Sequence, residues 1–155
     1  MVYTPEDRAS KKATTNIMIK TYSELIKFQT FDERFEYLML NGKIGEELFG
    51  YARYLNQVFY SSPIWKKVRR EVIIRDNGCD LGVEDYEIGG IIYVHHMNPI
   101  TLEQLKRDDP MLIDPEYLIC TSRSTHEAIT LGDRNLLSIK NPVIRVPNDT
   151  SPWKN

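Results

Sequence analysis

Two short β-rich runs constrain the fold of this chain more than any other feature of its sequence. The first, "GGIIYVHH", ends at His96 and is followed by "MNP", in which Pro99 cannot donate a hydrogen bond within a sheet. The second, "YLICT", begins at Tyr117, directly after the turn-forming pair Asp114-Pro115. Because β-branched and aromatic residues dominate both runs, we predict two short strands joined by a longer connection.

A short helix is predicted directly after the second strand. Ser124 and Glu127 have the spacing of a capping box, and Gly132 stands where a glycine commonly ends a helix. These signals predict a helix from about Thr125 to Leu131. The chain therefore contains a strand, a second strand and a helix in that order.

Two further helices are predicted before the strands. Thr30 and Glu33 form another capping-box pattern ahead of a short amphipathic segment. In "SSPIWKKVRREVIIRDNG", Ser62 is the expected N-cap, Pro63 occupies the first helical position and Gly78 lies just beyond the end. The apolar stripe of this second helix is predicted to consist of Ile64, Trp65, Val68, Val72 and Ile73. The fold class predicted from these elements is α+β.

The size and composition are those of one globular domain. The chain has 155 residues, of which 41% are apolar, enough to build a core. Residues 1–20 are polar and lack periodicity, so we predict a loose N-terminal arm followed by a single domain over residues 21–155. The tail "NPVIRVPNDTSPWKN" contains three prolines and is predicted to be extended.

The sequence also favours one cellular location. No apolar run approaches the roughly 18 residues that cross a bilayer, and "MVYTPEDRASKK" carries acidic residues where a signal peptide is basic and apolar. We therefore predict a cytoplasmic protein with no membrane partner. Cys79 and Cys120 form no C-x-x-C pair, so they are predicted to be two free, partly buried thiols.

Charge is unevenly distributed along the chain, although the net charge is only −2. From Ser62 to Arg75 there are five basic residues against one acidic residue, whereas residues 76–116 carry ten acidic residues against two basic ones. The basic face of the helix that begins at Pro63 is a candidate phosphate-binding surface. The residues assigned to it are Lys66, Lys67, Arg69 and Arg70.

The three histidines are the candidate catalytic residues. His95 and His96 are adjacent on a predicted strand, so their side chains point to opposite faces, and His126 lies in the first turn of the predicted helix. One strand histidine could then bind a metal ion together with His126, while the other remains free as a base. Alternatively, the adjacent histidines are surface residues and His126 makes only a local hydrogen bond.

A longer pattern surrounds these histidines. The stretch "RDNGCDLGVEDYEIGGIIYVHHMNPI", followed by "DPEYLICTSRSTHEAITLGD", resembles the HNH endonuclease family, specifically the small HNH proteins carried by phages. The resemblance extends from about Thr30 through "FYSSPIWKKVRREVIIRDNGCDLG" to "PNDTSPW" in the tail. It implies a ββα-metal (His-Me finger) core at about residues 90–132, with additional N-terminal helices and an extended C-terminal tail.

The resemblance assigns a role to each histidine. His95 matches the family's first metal ligand, His96 its general base and His126 its helix ligand. The implied cofactor is one divalent ion, Mg²⁺ or Mn²⁺, with Zn²⁺ or Ni²⁺ as alternatives. The implied reaction is hydrolysis of DNA phosphodiester bonds to 5′-phosphate and 3′-hydroxyl ends, one strand at a time. For a phage protein, the implied partners are the terminase or other packaging proteins in the host cell cytoplasm.

This chain departs from the family pattern at several positions. Tyr117 stands where the family has its central asparagine, so Asn98 or a backbone carbonyl is expected to orient His96 instead. Thr130 stands where related sequences have a second helix histidine, and its hydroxyl favours Mg²⁺ or Mn²⁺ over Zn²⁺. Glu127 is expected to cap the helix rather than to bind metal. The family's two C-x-x-C zinc pairs are absent.

These departures support a second interpretation. The chain could be a non-catalytic DNA-binding or assembly protein that retains the ββα shape around a degenerate HNH site. Thr130 is the feature that favours this alternative.

Overall fold

The computed structural model describes residues 18–40, 51–82 and 86–137, which form a mixed α+β fold. The predicted extended tail and most of the predicted N-terminal arm lie outside these residues. The helices within this part of the chain are α1 (Tyr22–Leu25), α2 (Phe31–Leu38), α3 (Tyr51–Ser61), α4 (Pro63–Arg75), α5 (Leu102–Arg107) and α6 (Arg123–Leu131). The strands are β1 (Cys79–Asp80), β2 (Tyr86–Glu87), β3 (Tyr93–His96) and β4 (Leu118–Thr121). β1 pairs with β2, and β3 pairs with β4, both in antiparallel orientation.

The predicted starts of α2 and α4 are confirmed. Thr30 and Glu33 form both halves of a capping box at the start of α2. The hydroxyl of Ser62 accepts a hydrogen bond from the backbone N–H of Trp65, and Pro63 is the first residue of α4. These caps satisfy backbone donors that would otherwise have no partner in the first turn.

The apolar stripe of α4 is confirmed in part. Trp65, Val68 and Val72 are buried, and Ile73 packs beside them. The prediction was wrong for Ile64, which is 51% exposed. In the first turn of α4, Ile64 is next to the buried Trp65 and points away from the core. Periodicity alone did not show that Ile64 lies outside the buried stripe.

The two predicted strands form β3 and β4, and the register of the pair determines which side chains share a face. His95 lies opposite Ile119, and Tyr93 lies opposite Thr121. Residues paired across antiparallel strands point to the same side, and side chains alternate along each strand. Tyr93, His95, Ile119 and Thr121 therefore share one face, which we call the α6 face. Val94, His96, Leu118 and Cys120 share the other, the α4 face.

The hydrophobic core is divided by this pair of strands. On the α6 face, Ile119 packs with Ala128 and Ile129 of α6 and with residues of α1 and α2. On the α4 face, Leu118 and Cys120 pack against Trp65, Val68 and Val72 of α4. β3 and β4 are thus held between α6 and α4, which accounts for the burial of every residue in β4.

The start of α6 differs from the prediction. The N-cap is Ser122 rather than Ser124, so the helix begins two residues earlier than expected, at Arg123. Glu127 does not cap the helix, and its carboxylate instead accepts a hydrogen bond from Arg123 at 2.9 Å. The predicted end is confirmed: Gly132 follows the helix in the left-handed conformation, with φ of 68°.

Two further expectations concern the whole described chain. Cys79 is half-buried, as predicted, whereas Cys120 is completely buried, and the two do not form a disulfide with each other. Among the described residues, no helix has the length and apolar character needed to span a bilayer.

Candidate functional site

His95 and His126 are brought together by the packing of α6 on the strand pair. His95 is on the α6 face of β3 and is only 5% exposed, and His126 is in the first turn of α6. Their ring centroids are 5.0 Å apart, and the ring planes are nearly perpendicular. Two imidazoles at this separation can bind one ion after modest rotation, since Zn–N bonds are about 2.1 Å long. The predicted pair of ligands is therefore geometrically compatible with one shared ion.

The protonation states of these two histidines also fit a metal centre. Burial first, and repulsion from His126, His96 and Lys20 in their protonated forms second, lower the pKa of His95 to about 3. Burial likewise lowers the pKa of His126, although the nearby carboxylate of Glu127 acts in the opposite direction. Both imidazoles are therefore neutral near pH 7, the form in which a ring nitrogen has a lone pair for a metal.

A third observation concerns the ring nitrogen Nε2 of His95. This atom is fully buried and has no hydrogen-bond partner among the described residues. An unpartnered buried polar atom costs free energy, so such atoms are uncommon unless they bind something else. Within the described residues, no cluster of three His, Cys, Asp or Glu side chains surrounds the pair. An ion bound here would thus have two imidazole ligands and several open positions.

An open cleft lies beside the residues that flank His126 in the sequence. Tyr93 stacks on the His126 ring at a centroid distance of 5.5 Å. An open cleft of about 530 Å³ is lined by Tyr93, by Thr125 and Glu127 on either side of His126, and by the Gly89-Gly90 turn. The residues that line this cleft do not include His95 or His126 themselves.

His96 lies on the α4 face, as the alternation of the strand predicted. Its ring stacks on Trp65 at 5.1 Å, with planes inclined by 16°, and Phe59 and Tyr60 border it. Its Nε2 is 2.9 Å from the backbone carbonyl oxygen of Leu112. A carbonyl can only accept, so we assign the ring proton to Nε2, which leaves the lone pair on Nδ1.

The charge state of His96 follows from the same packing. Burial lowers the pKa of His96 to about 4, and the hydrogen bond to Leu112 partly opposes this shift. The ring is therefore neutral at pH 7, with the lone pair on Nδ1.

The group that orients His96 is one of the two alternatives expected from the sequence. The backbone carbonyl of Leu112 is in place, whereas the Asn98 side chain is committed elsewhere. Asn98 accepts a hydrogen bond from the N–H of Lys20 at 2.8 Å and donates one to the carbonyl of Lys20 at 2.9 Å. Tyr117 lines a small cavity beside His96, and its backbone carbonyl accepts a hydrogen bond from Met97.

Thr130 is one turn beyond His126, as predicted, but its hydroxyl already has a partner. The hydroxyl donates to the backbone carbonyl of His126 at 2.7 Å. This hydrogen bond within the helix is a common arrangement for threonine. Thr130 remains a candidate supporting residue of the site, and its hydroxyl proton points to the helix backbone.

Lys20 was not singled out by sequence reasoning, which assigned it to the loose arm. Besides its main-chain contacts with Asn98, its ammonium group donates to the carbonyls of Leu38 and Met39 at the end of α2. A lysine at the end of a polar segment gives no local signal of such contacts.

Asp80 was also missed, although it determines where α6 begins. Its carboxylate is 3% exposed and accepts hydrogen bonds from the backbone N–H groups of Gly82 and Ser122, both at 3.0 Å. Burial raises the pKa of Asp80, whereas the hydrogen bonds from Thr125 and Ser122 act in the opposite direction. At Gly82, an added Cβ would lie 2.5 Å from a methyl group of Thr125, so β1 and α6 approach closely.

We expect the substitution Asp80→Ala to destabilise the protein by about 2–4 kcal/mol, because two buried N–H groups lose their acceptor. Urea unfolding monitored by circular dichroism would measure this change. Glu87→Ala is the matched control, since Glu87 lines the same cleft but is exposed. A similar unfolding midpoint for both variants would contradict the assignment.

The four basic residues predicted to bind DNA do not have equivalent environments. Lys66, Lys67 and Arg70 are exposed on α4. Arg69 is half-buried, and its guanidinium donates to the backbone carbonyl of Ile92 at 2.9 Å, just before β3. Arg69 therefore has a structural contact in addition to any role in DNA binding.

No family model, curated protein or solved structure matches this chain. The resemblance to HNH endonucleases therefore rests on the residues and motifs themselves.

Proposed function

We propose that this protein is a metal-dependent endonuclease of the HNH type that hydrolyses DNA phosphodiester bonds one strand at a time. The observation that carries the proposal is that the two adjacent histidines at the end of β3 lie on opposite faces of the strand pair. His95 faces His126 with an unpartnered buried nitrogen, while the adjacent His96 faces the other way with its proton directed at Leu112. The ββα-metal core is proposed to comprise β3, β4 and α6.

The metal centre is proposed to consist of His95 and His126. An ion bound there would supply positive charge beside the scissile phosphate. The two neutral imidazoles hold the ion from a strand and a helix that are packed rigidly against each other. The open cleft beside Tyr93 is proposed as the place where the DNA backbone binds, next to the residues that flank His126 in the sequence.

His96 is proposed as the general base. Its Nδ1 takes a proton from a water molecule as the water oxygen forms a bond to phosphorus and the bond from phosphorus to the 3′ oxygen breaks. The leaving oxygen takes a proton from solvent, which gives 3′-hydroxyl and 5′-phosphate ends. The carbonyl of Leu112 holds the ring by accepting a hydrogen bond from Nε2–H, and it stabilises the cation that forms.

A nicking assay on supercoiled plasmid DNA tests the proposal. The protein is incubated with Mg²⁺, Mn²⁺, Ni²⁺ or Zn²⁺ in turn, and with EDTA, and open-circular product is measured over time. We expect accumulation of nicked circles with at least one ion and none with EDTA. Ion binding without nicking for all four ions would instead support the non-catalytic alternative, which the small ligand set among the described residues favours.

DNA affinity is proposed to depend on the exposed basic residues of α4. We expect the double variant Lys66→Gln/Arg70→Gln to flatten the slope of log affinity against log salt by about two at most, because each lost phosphate contact contributes about 0.9. Fluorescence anisotropy with labelled duplex DNA measures this slope. The control, Lys27→Gln/Lys106→Gln, removes two exposed charges from α1's end and α5 and should leave the slope unchanged. Equal slopes for wild type and the α4 variant would exclude this surface as the contact.

A further inference from the structure

Thr121 is a buried polar residue that neither the sequence nor the mechanism above has used. Its side chain is fully buried at the end of β4, and its hydroxyl oxygen has no hydrogen-bond partner among the described residues. Thr121 and His95 are the two residues of the described chain with such an orphaned side-chain atom. Native proteins rarely bury a hydroxyl without a partner, so each such group requires an explanation.

Both orphaned atoms belong to the same face of the same strand pair. Thr121 lies opposite Tyr93, and His95 lies opposite Ile119, so all four side chains share the α6 face. The neighbours confirm this assignment: Ile119 packs against α6, whereas Cys120 packs against Trp65 on the α4 face. Tyr93, the residue opposite Thr121, also stacks on His126, the other proposed ligand.

The spacing along the strands suggests how the two atoms are related. Thr121 is diagonal to His95 across the pair, and such residues are roughly 7–8 Å apart, with side chains somewhat closer. An ion lies about 2.1 Å from the ring nitrogen that binds it. A water bound to that ion can then form a hydrogen bond of about 2.8 Å with a hydroxyl. A contact through a water therefore fits the separation of diagonally paired residues better than a direct bond from the hydroxyl to the ion.

We infer that Thr121 is a positioning residue of the metal centre, whose hydroxyl forms a hydrogen bond to an ordered water in the coordination sphere of the ion. The inference rests on the proposed binding of that ion by His95 and His126. Thr121 thereby satisfies its own hydroxyl when the ion is bound, and it compensates for the small number of protein ligands. Partners of this kind commonly affect metal affinity by ten- to a hundredfold.

The test compares Thr121→Val with Thr121→Ser. Valine has nearly the same shape as threonine but no hydroxyl, whereas serine retains the hydroxyl. We expect Thr121→Val to weaken Mn²⁺ binding about tenfold or more, as measured by calorimetry. In the metal-free protein, the same substitution should leave the midpoint of urea unfolding unchanged or raise it, because an unpartnered hydroxyl is removed. Thr121→Ser should bind Mn²⁺ nearly as tightly as the wild type.

The outcomes separate this inference from the proposed function. Wild-type affinity in Thr121→Val would overturn the inference alone and leave the His95–His126 site standing. A lower unfolding midpoint for metal-free Thr121→Val would also overturn it, because the hydroxyl would then have a structural partner. Failure of the wild-type protein to bind Mn²⁺, Mg²⁺, Ni²⁺ or Zn²⁺ would overturn both. Ile119→Val, a truncation on the same face without a hydroxyl, controls for repacking and should retain Mn²⁺ affinity.

Discussion

Replacing His96 with alanine is expected to lower the rate of DNA nicking by about 10²–10⁴-fold, the usual contribution of a general base. Ion binding should persist, because His95 and His126 lie on the other face of the strand pair. The rate is measured on supercoiled plasmid under single-turnover conditions, and ion binding by calorimetry. This combination distinguishes loss of the base from loss of the metal centre.

Two controls make the His96 prediction specific. The substitution leaves a cavity beside Trp65, so free imidazole added to the buffer should enter it and restore part of the nicking rate. Trp65→Phe perturbs the same aromatic packing while retaining the base, and it should lose far less activity. A His96→Ala variant that nicks DNA within tenfold of the wild-type rate would exclude His96 as the base.

Replacing Arg75 with methionine is expected to destabilise the protein by about 3–5 kcal/mol, because the substitution leaves a buried carboxylate without its partner. Arg75 donates to Asp76, whose side chain is completely buried, at 2.7 Å. Its guanidinium also donates to the backbone carbonyls of Pro115 and Leu118 and lies 3.7 Å from the centre of the Tyr22 ring. One side chain thus joins α4, α1 and the start of β4.

The matched control for Arg75 is Arg70→Met on the same helix. Arg70 is exposed, so its loss should change the free energy of unfolding by no more than about 0.5 kcal/mol. Urea unfolding of both variants, followed by tryptophan fluorescence, gives the comparison. Equal unfolding free energies would show that the Asp76 carboxylate is stabilised without Arg75, through its hydrogen bond from the N–H of Cys120.

Local signals correctly predicted half of the helices and strands in the described residues, namely α2, α4, β3, β4 and α6. The capping box at Thr30 and the Ser62-Pro63 start of α4 involve residues only a few positions apart, so their chemistry is complete within the sequence. The strands β3 and β4 were predicted for the same reason, from composition and proline breakers. α1, α3, β1, β2 and α5 were missed: α1 has four residues and the two strands have two each, α3 was not predicted, and the capping box at Thr101 was overlooked.

The start of α6 shows where local signals became ambiguous. Ser122 and Ser124 are both suitable N-caps, and Ser124 has a glutamate at the capping-box spacing. Which serine caps the helix depended on Asp80, which is distant in sequence and accepts a hydrogen bond from the N–H of Ser122. Glu127 was then free to pair with Arg123. A long-range contact thus selected between two local alternatives of similar strength.

The sequence by itself determined the strand–strand–helix order of β3, β4 and α6, the residue types available for chemistry and the opposite orientation of His95 and His96. Strand alternation is a property of the backbone, so it requires no knowledge of the rest of the fold. The tertiary structure alone decided that His95 meets His126, that Leu112 orients His96, and that Thr121 shares the face of His95 without a partner. These features depend on strand register and on how α6 packs, and both are set by contacts between residues distant in the chain.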